Sequence, residues 1–231
     1  MSVTRIKKGK RTTDHTSVAL LSAGRGRKIK SYEPRSLLKI KSKPLIEHQL
    51  STIHNYFKDE VETITVVGCY ANKVIKKVKN ETRIVENQMY EETNSSESLR
   101  LAFNNSSGQS FMFIHGDILF NENSIDVDYS TSFVIMDTEG LIKEHEVGLT
   151  SIEGNLSIMS YGLPVKWAQI AFFKEKEYKL LSHVLSKFEE KDKKRLSFEV
   201  INDIVELGGC FKCYEPKNKN LLEIDRIKDI R

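Results

Sequence analysis

Short apolar runs and longer stretches of helical spacing alternate along the first half of the chain. "SVALLSA" (Ser17–Ala23) is apolar, brief and closed by glycine, so it predicts a buried strand. "KPLIEHQLSTIHNYF" (Lys43–Phe57) puts Leu45, Ile46, Leu50, Ile53 and Phe57 on one face and predicts a helix. "TITVVGCY" (Thr63–Tyr70) is rich in β-branched residues and reads as a strand. "NKVIKKVKN" (Asn72–Asn80) is a short helix with Asn72 as N-cap, and "RIVEN" (Arg83–Asn87) a short strand. Asn94 followed by Glu97 forms a capping-box pattern and predicts a helix from Ser95 to Phe103. "SFMFIH" (Ser110–His115) is the next buried strand and ends at Gly116-Asp117.

Such alternation predicts an α/β domain with a parallel sheet and right-handed crossovers. Beyond Asp117 the pattern changes. "TSFVIM" (Thr131–Met136) and two stretches between Leu141 and Met159 are strand-like, with no long helix between them. Helices follow at Glu175–Glu190 and at Ser197–Gly209, the second stopped by glycines. "CFKCY" and "LLEID" read as two short strands. No linker or repeat interrupts the chain, so one domain over 16–231 is expected, with a mixed sheet that is parallel in its first half.

Composition narrows the class. Of 231 residues, 39% are apolar and 29% charged, the balance of a globular domain. No apolar run approaches the ~20 residues of a membrane helix. The N-terminus has no apolar secretory core, and three cysteines do not make a paired framework. A cytoplasmic location is expected. The net charge of +4 is local: residues 1–15 carry five basic side chains against Asp14, which leaves 31 of each sign elsewhere. The tail reads as solvated and disordered, and the body lacks the charge of a nucleic-acid-coating protein.

Chemistry concentrates in "LLSAGRGRKIKSYEPRSLLKI", Leu20–Ile40. Glycines after a strand let backbone N–H groups converge on an anion, and arginine adds planar donors. Gly24-Arg25-Gly26 has this form; a tight turn with solvated cations is the plain alternative. The loop is not a Walker A loop, because no GxxxxGK[ST] occurs. Nor is it a dinucleotide fingerprint: the third glycine's place is Ile29, and Glu47, the acid at about the right distance, lies on the first predicted helix.

A third pattern fits. Leu21, Ala23, Gly24, Gly26, Lys28, Pro34, Arg35, Leu37, Leu38, Ile40, Lys43, Pro44, Leu45 and Ile46 stand in the order L-x-A-G-x-G-x-R…P-K-x-L-[LV]-x-[IV]-x-G-K-P-[LM]-[IL]. In this the chain resembles the sugar-phosphate and phosphocholine nucleotidyltransferases. The departures are Lys28 for arginine, with Arg27 just before it, and Arg35 for lysine. Either Arg27 or Lys28 fills the loop-arginine role.

The resemblance implies a GT-A-like fold: a single-domain three-layer α/β/α with a mixed, mostly parallel sheet. It implies an NTP, CTP or UTP foremost, a phosphorylated small-molecule acceptor, and release of pyrophosphate. Leu21, Ala23, Gly24, Arg25 and Gly26 would cradle the nucleotide, with Arg27, Lys28 and Arg35 on its phosphates. The segment after Arg83–Asn87 resembles the choline-phosphate branch through Asn87, Tyr90, Thr93, Asn94 and Ser98-Leu99. Asn87, Tyr90, Asn94 and Ser95 are therefore candidates for the base. Lys166, beside the single tryptophan, would take the acceptor phosphate.

Mg²⁺ takes few protein carboxylates when phosphates supply other ligands, so isolated acids at strand ends are the expected metal residues. Asp117 follows a buried strand, Asp225 a short one, and the resemblance implies both. Asp126-Val127-Asp128 is a D-x-D in a polar stretch and reads as surface loop. Cys210-x-x-Cys213 has no second pair and no nearby histidines, which argues against zinc. His48, His54 and His183 fall on helical patterns as surface or satisfied side chains. Two rival readings stay open: a glycosyltransferase of the same fold, and a nucleotide-binding module without catalysis.

Overall fold

A computed structural model describes residues 15–25, 34–58, 60–140 and 142–224. The basic tail over 1–14, Gly26, Arg27, Lys28, Ile29 and Asp225 lie outside them. The elements are β1 (Thr16–Leu21), β2 (Lys39–Ile40), β3 (Lys43–Pro44), α1 (Leu45–Phe57), β4 (Val61–Val67) and α2 (Ala71–Val78). Next come β5 (Arg83–Glu86), α3 (Ser95–Asn104), β6 (Ser110–His115), β7 (Ile118–Phe120), β8 (Phe133–Asp137), β9 (Val147–Ile152) and β10 (Asn155–Tyr161). β11 (Val165–Phe173), α4 (Glu175–Ser186), α5 (Ser197–Glu206), β12 (Lys212–Tyr214) and β13 (Leu221–Glu223) complete the described chain.

β1 is apolar on both faces because both faces are covered. Val18 and Leu20 enter a core with Ile46, Leu50 and Ile53 of α1 and Val74 of α2. Ala19 and Leu21 enter the opposite core, with Leu99 of α3, Leu181 of α4 and Ile201 of α5. β6 and β11 divide in the same way: Met112, Ile114, Ile170 and Phe172 on one side, Phe111, Phe113, Ala171 and Phe173 on the other. The result is three layers, with the sheet between two helical faces.

The sheet runs β5-β4-β1-β6-β11-β8-β12-β10-β9. The first four strands are parallel, as the alternation of elements predicts. From β6 onward the pairings are antiparallel, except β8 with β12. The order reverses at β1, with β4 and β5 on one side and β6 on the other. A crevice opens at the carboxyl ends of strands where such a reversal occurs.

Several local expectations shift. β11 is the longest strand, at nine residues, and no element was expected there. Its alternation is hidden by a bulge: from Trp167 to Ala171 it takes four steps while β8 takes two, from Met136 to Val134. Gln169 in the bulge has φ 60°. α2 begins at Ala71 after Tyr70, whose φ is 52°, so Asn72 is inside the helix rather than its cap. Only half of the capping box forms at α3. Asn94 Oδ1 accepts from the Ser95 amide at 2.9 Å, but the Glu97 carboxylate turns to Arg100 at 2.7 Å. α4 ends at Ser186, four residues short of Glu190. Gly208, at φ 84°, follows α5 and stops it as expected.

Gly116 lies where the ends of β1 and β6 touch. Its amide donates to the Leu21 carbonyl at 3.0 Å, and a Cβ there would meet that oxygen and the Ser22 Cα at 2.9 Å each. Gly116→Ala is therefore expected to cost about 1–3 kcal/mol, the range for overpacking a filled interior. Urea unfolding of the two proteins side by side measures it, and equal midpoints would contradict the close approach.

Candidate active site

An open cleft of about 700 Å³ lies over the ends of β1, β5 and β6. One wall is the segment after β1. Leu21, Ala23, Gly24 and Arg25 line it, and Arg35 enters from the short helix that follows. This wall is fixed by backbone bonds: Ser22 N donates to Val66 O, and Cys69 N to Ala23 O, both at 2.9 Å. Gly68 permits that approach, since a Cβ would meet Ala23 O and the Tyr90 side chain at 2.8 Å.

The segment between β5 and α3 forms the second edge, with Asn87, Tyr90, Asn94 and Ser95 all on the cleft. Asn87 is 2% exposed, and its amide is spent inside the loop. It donates to Thr93 Oγ1 at 3.0 Å and Ser98 Oγ at 3.3 Å, and accepts from Met89 N at 3.1 Å. Its visible work is to set the loop's shape. Ser95 Oγ accepts from Ser197 N at 2.8 Å and so docks the start of α3 on the start of α5. Tyr90 packs its ring against the core beside Gly68.

Asp117 follows β6. Arg35 Nη1 donates to its Oδ2, while Oδ1 is buried and accepts no hydrogen bond among the described residues. Ile224 N donates to the Asp117 carbonyl at 2.8 Å, as β13 pairs with β7. The chain thus reaches Asp117 one residue before position 225. No cluster of three metal-ligating side chains occurs among the described residues. A carboxylate oxygen that accepts no hydrogen bond is the kind of ligand Mg²⁺ takes where phosphates supply the others.

The opposite wall holds residues that sequence reasoning missed: His115, His145, Glu146, Tyr161, Gln169, Phe198 and Glu223. They come from separate loops, strands and the start of α5, so no local spacing could announce them; His115 in SFMFIH and Glu223 in LLEID stood in quoted stretches without being singled out. Lys166 sits behind this wall. Its ammonium is 2.9 Å from Glu146 Oε1 and 3.1 Å from Glu223 Oε2. Burial alone would push the lysine down, but Glu223 and Glu146 hold it above its ordinary value. Burial would raise Glu146; hydrogen bonds from the Lys143 amide and from Lys166 bring it below the usual range instead. His115 packs on Trp167, with ring centroids 5.7 Å apart, and its Nε2 is 2.8 Å from Ser197 Oγ. Burial pushes the His115 imidazole below its ordinary value, with Asp117 opposing and Arg35 assisting. Trp167 is buried and donates from Nε1 to Ile170 O at 3.2 Å.

Residues 18–126 match the MobA-like NTP transferase domain. The match spans just under half of the chain. More than nine tenths of the chain aligns with solved structures of one fold. CTP:phosphocholine cytidylyltransferase from Streptococcus pneumoniae superposes with a TM-score of 0.76 at 18% identity, over 93% of this chain and 96% of that one. The inositol-1-phosphate CTP transferase from T. maritima gives 0.73 at 17% identity, over 94% and 92%. A UDP-glucose pyrophosphorylase complexed with UDP-glucose gives 0.69 at 13% identity, over 94% and 95%. No curated protein sequence matches significantly. The chain shares the fold of these solved nucleotidyltransferase structures, and its first half matches an NTP transferase model.

Other candidates of the sequence fall away from the NTP transferase cleft. Asp126 accepts from Tyr56 OH at 3.1 Å, and Asp128 closes its own turn through Ser130 N at 2.9 Å; neither lines the cleft. His48 Nε2 is 2.9 Å from Ile40 O, a satisfied side chain. Among the described residues no helix is long and apolar enough to cross a membrane. The cysteines are all free: Cys69 is buried, Cys210 exposed and Cys213 half-buried. Burial pushes the Cys213 thiol up to about 11. Since the thiolate is the reactive form, a disulfide-exchange reagent at pH 8 should modify Cys210 first and Cys213 at least ~10-fold more slowly. Peptide mapping of the labelled protein reads this; equal rates would deny the burial.

Proposed function

We propose that the protein transfers a nucleotidyl group from an NTP, CTP or UTP foremost, to the phosphate of a small phosphorylated acceptor. An acceptor phosphate oxygen attacks the α-phosphorus, the bond to the β-phosphate oxygen breaks, and pyrophosphate leaves. One observation carries the reading: Gly24, Arg25 and Arg35, the last bonded to Asp117, line one edge of a cleft whose other wall includes Glu146 and Glu223, with Lys166 behind them. Such a reaction joins two anions, so positioned cations do most of the work.

In this reading Gly24, Arg25 and Arg35 hold the triphosphate, together with Gly26 and Arg27 or Lys28. Tyr90, Asn94 and Ser95 face the base, on a loop shaped by Asn87. Lys166 orients the acceptor phosphate. Asp117, through its buried Oδ1, and Asp225 would hold Mg²⁺, which supplies charge neutralisation on the phosphates when bound. Arg35 on Oδ2 fixes the Asp117 carboxylate in direction.

The acceptor wall favours a cationic head group, of the phosphocholine type, over a sugar. Trp167, Tyr161 and Phe198 supply aromatic surface, and Tyr161 and Phe198 lie 5.9 Å apart. Beside them the carboxylates Glu146 and Glu223 are met by Lys166 and Lys143. Aromatic faces suit a quaternary ammonium.

Incubation with each NTP, Mg²⁺, and either phosphocholine or glucose 1-phosphate tests this. Pyrophosphate should appear with a pyrimidine NTP and more readily with phosphocholine. Transfer from an NDP-sugar without pyrophosphate would make the protein a glycosyltransferase; tight NTP binding without turnover would make it a binding module. Asp117→Ala should lower turnover ~10²-fold or more, the usual loss for a key electrostatic group. A rate close to that of the unmodified protein would take Asp117 out of the reaction.

A further inference from the structure

Lys166 is an internal ion-pair centre, held by two residues that line the cleft, Glu146 and Glu223. Its side chain is 15% exposed, against 3% for Glu146 and 11% for Glu223. The two carboxylates come from opposite ends of the second half of the fold. Glu146 precedes β9, and Glu223 ends β13.

Glu146 is itself held by its own turn. Its Oε2 accepts from the Lys143 amide at 2.9 Å, its Oε1 lies 3.4 Å from Lys143 Nζ, and its amide donates back to the Lys143 carbonyl at 2.9 Å. This carboxylate therefore has one place to be, and β11 brings Lys166 to it: Lys166 pairs with Gly148 on β9.

An ammonium has three N–H donors. Glu146 Oε1 accepts one, Glu223 Oε2 stands 3.1 Å away as an ion-pair partner, and no third carboxylate pairs with the ammonium among the described residues. A free lysine side chain carries rotamer entropy that a phosphate would have to quench on binding. A lysine already pinned has lost that freedom beforehand.

We propose that Glu146 is a positioning residue for the acceptor phosphate: it pins Lys166 against the cleft wall and leaves the ammonium's third donor for that phosphate. The proposal rests on the reading of Lys166 as the acceptor-phosphate ligand. Glu146 touches no substrate in this scheme and acts only through the lysine. The plain alternative is an ion pair that merely ties the entry of β9 to β11.

Glu146→Gln separates the two. Glutamine keeps the size of the side chain and still accepts from the Lys143 amide. With the donor–acceptor pair that releases pyrophosphate, kcat over acceptor KM should fall about tenfold or more, while the NTP KM stays within about twofold. In a Lys166→Met background the same substitution should change acceptor kinetics by less than about twofold, because the two residues act as a unit. Glu146→Asp, which withdraws the charge by one methylene, should lose part of the effect. Additive losses in the double variant, or an equal rise in both KM values, would overturn the proposal.

A second measurement needs no turnover. Trace acetylation of the full-length protein with acetic anhydride, read by peptide mass spectrometry, reports how firmly each amine is held. Glu146→Gln should raise labelling of Lys166 several-fold relative to the exposed Lys179. Unchanged labelling overturns the proposal whether or not an acceptor is in hand. Failure of the underlying reading looks different: Lys166→Met with unaltered acceptor kinetics removes the lysine from the acceptor site, and Glu146 with it.

Discussion

β1 and β6 lie side by side in parallel, with Leu21 opposite His115, and both leave the sheet at the same level. Every feature of the cleft hangs from that pairing. On one side it sends the chain through Gly24 and Arg25; on the other it delivers His115, Gly116 and Asp117. Because β4 flanks β1 and β6 has β11 beyond it, the helices that connect them pass over opposite faces and leave the crevice uncovered. The Gly116 contact with Leu21 keeps the two ends from spreading.

The charges around the crevice are compensated in advance. Arg35 meets Asp117, and Lys166 meets Glu146 and Glu223. A half-buried charge without a partner would be costly, so the walls store each cation against a carboxylate. Such storage also fixes direction. The same wall joins distant parts of the chain, since Glu223 stands on β13 and the next residue bonds to Asp117.

The β1 edge of the cleft was legible in the sequence and the opposite wall was not, and the reason is distance along the chain. Leu21 to Arg35 form one local stretch whose glycines, cations and Pro34 each have a backbone or phosphate meaning. β1, β6 and α1 were equally plain, as unbroken apolar runs or clean helical spacing. Asn87 and Ser95 were found as positions, yet the structure shows them engaged with their own loop and with α5, a role that spacing does not reveal. β11 was concealed by the irregular advance around Gln169. Glu146 and His145 sit in a loop with no periodicity and matter only because β9 returns beside β11. Asn72 failed as a cap because Tyr70 takes the left-handed conformation that turns the chain into α2.

The bulge in β11 divides that strand into two parts. Ala171, Phe172 and Phe173 are committed to β6 and to both cores, whereas Val165 and Lys166 belong with β9. The floor of the cleft and the wall that holds Glu146 are thus carried on separately adjustable pieces of one strand. Descendants of such a chain can redraw the loop before β9, lengthen the β9–β10 hairpin or exchange Tyr161 without disturbing the β1–β6 floor. Substrate choice can drift under mutation while the shared chemistry stays put.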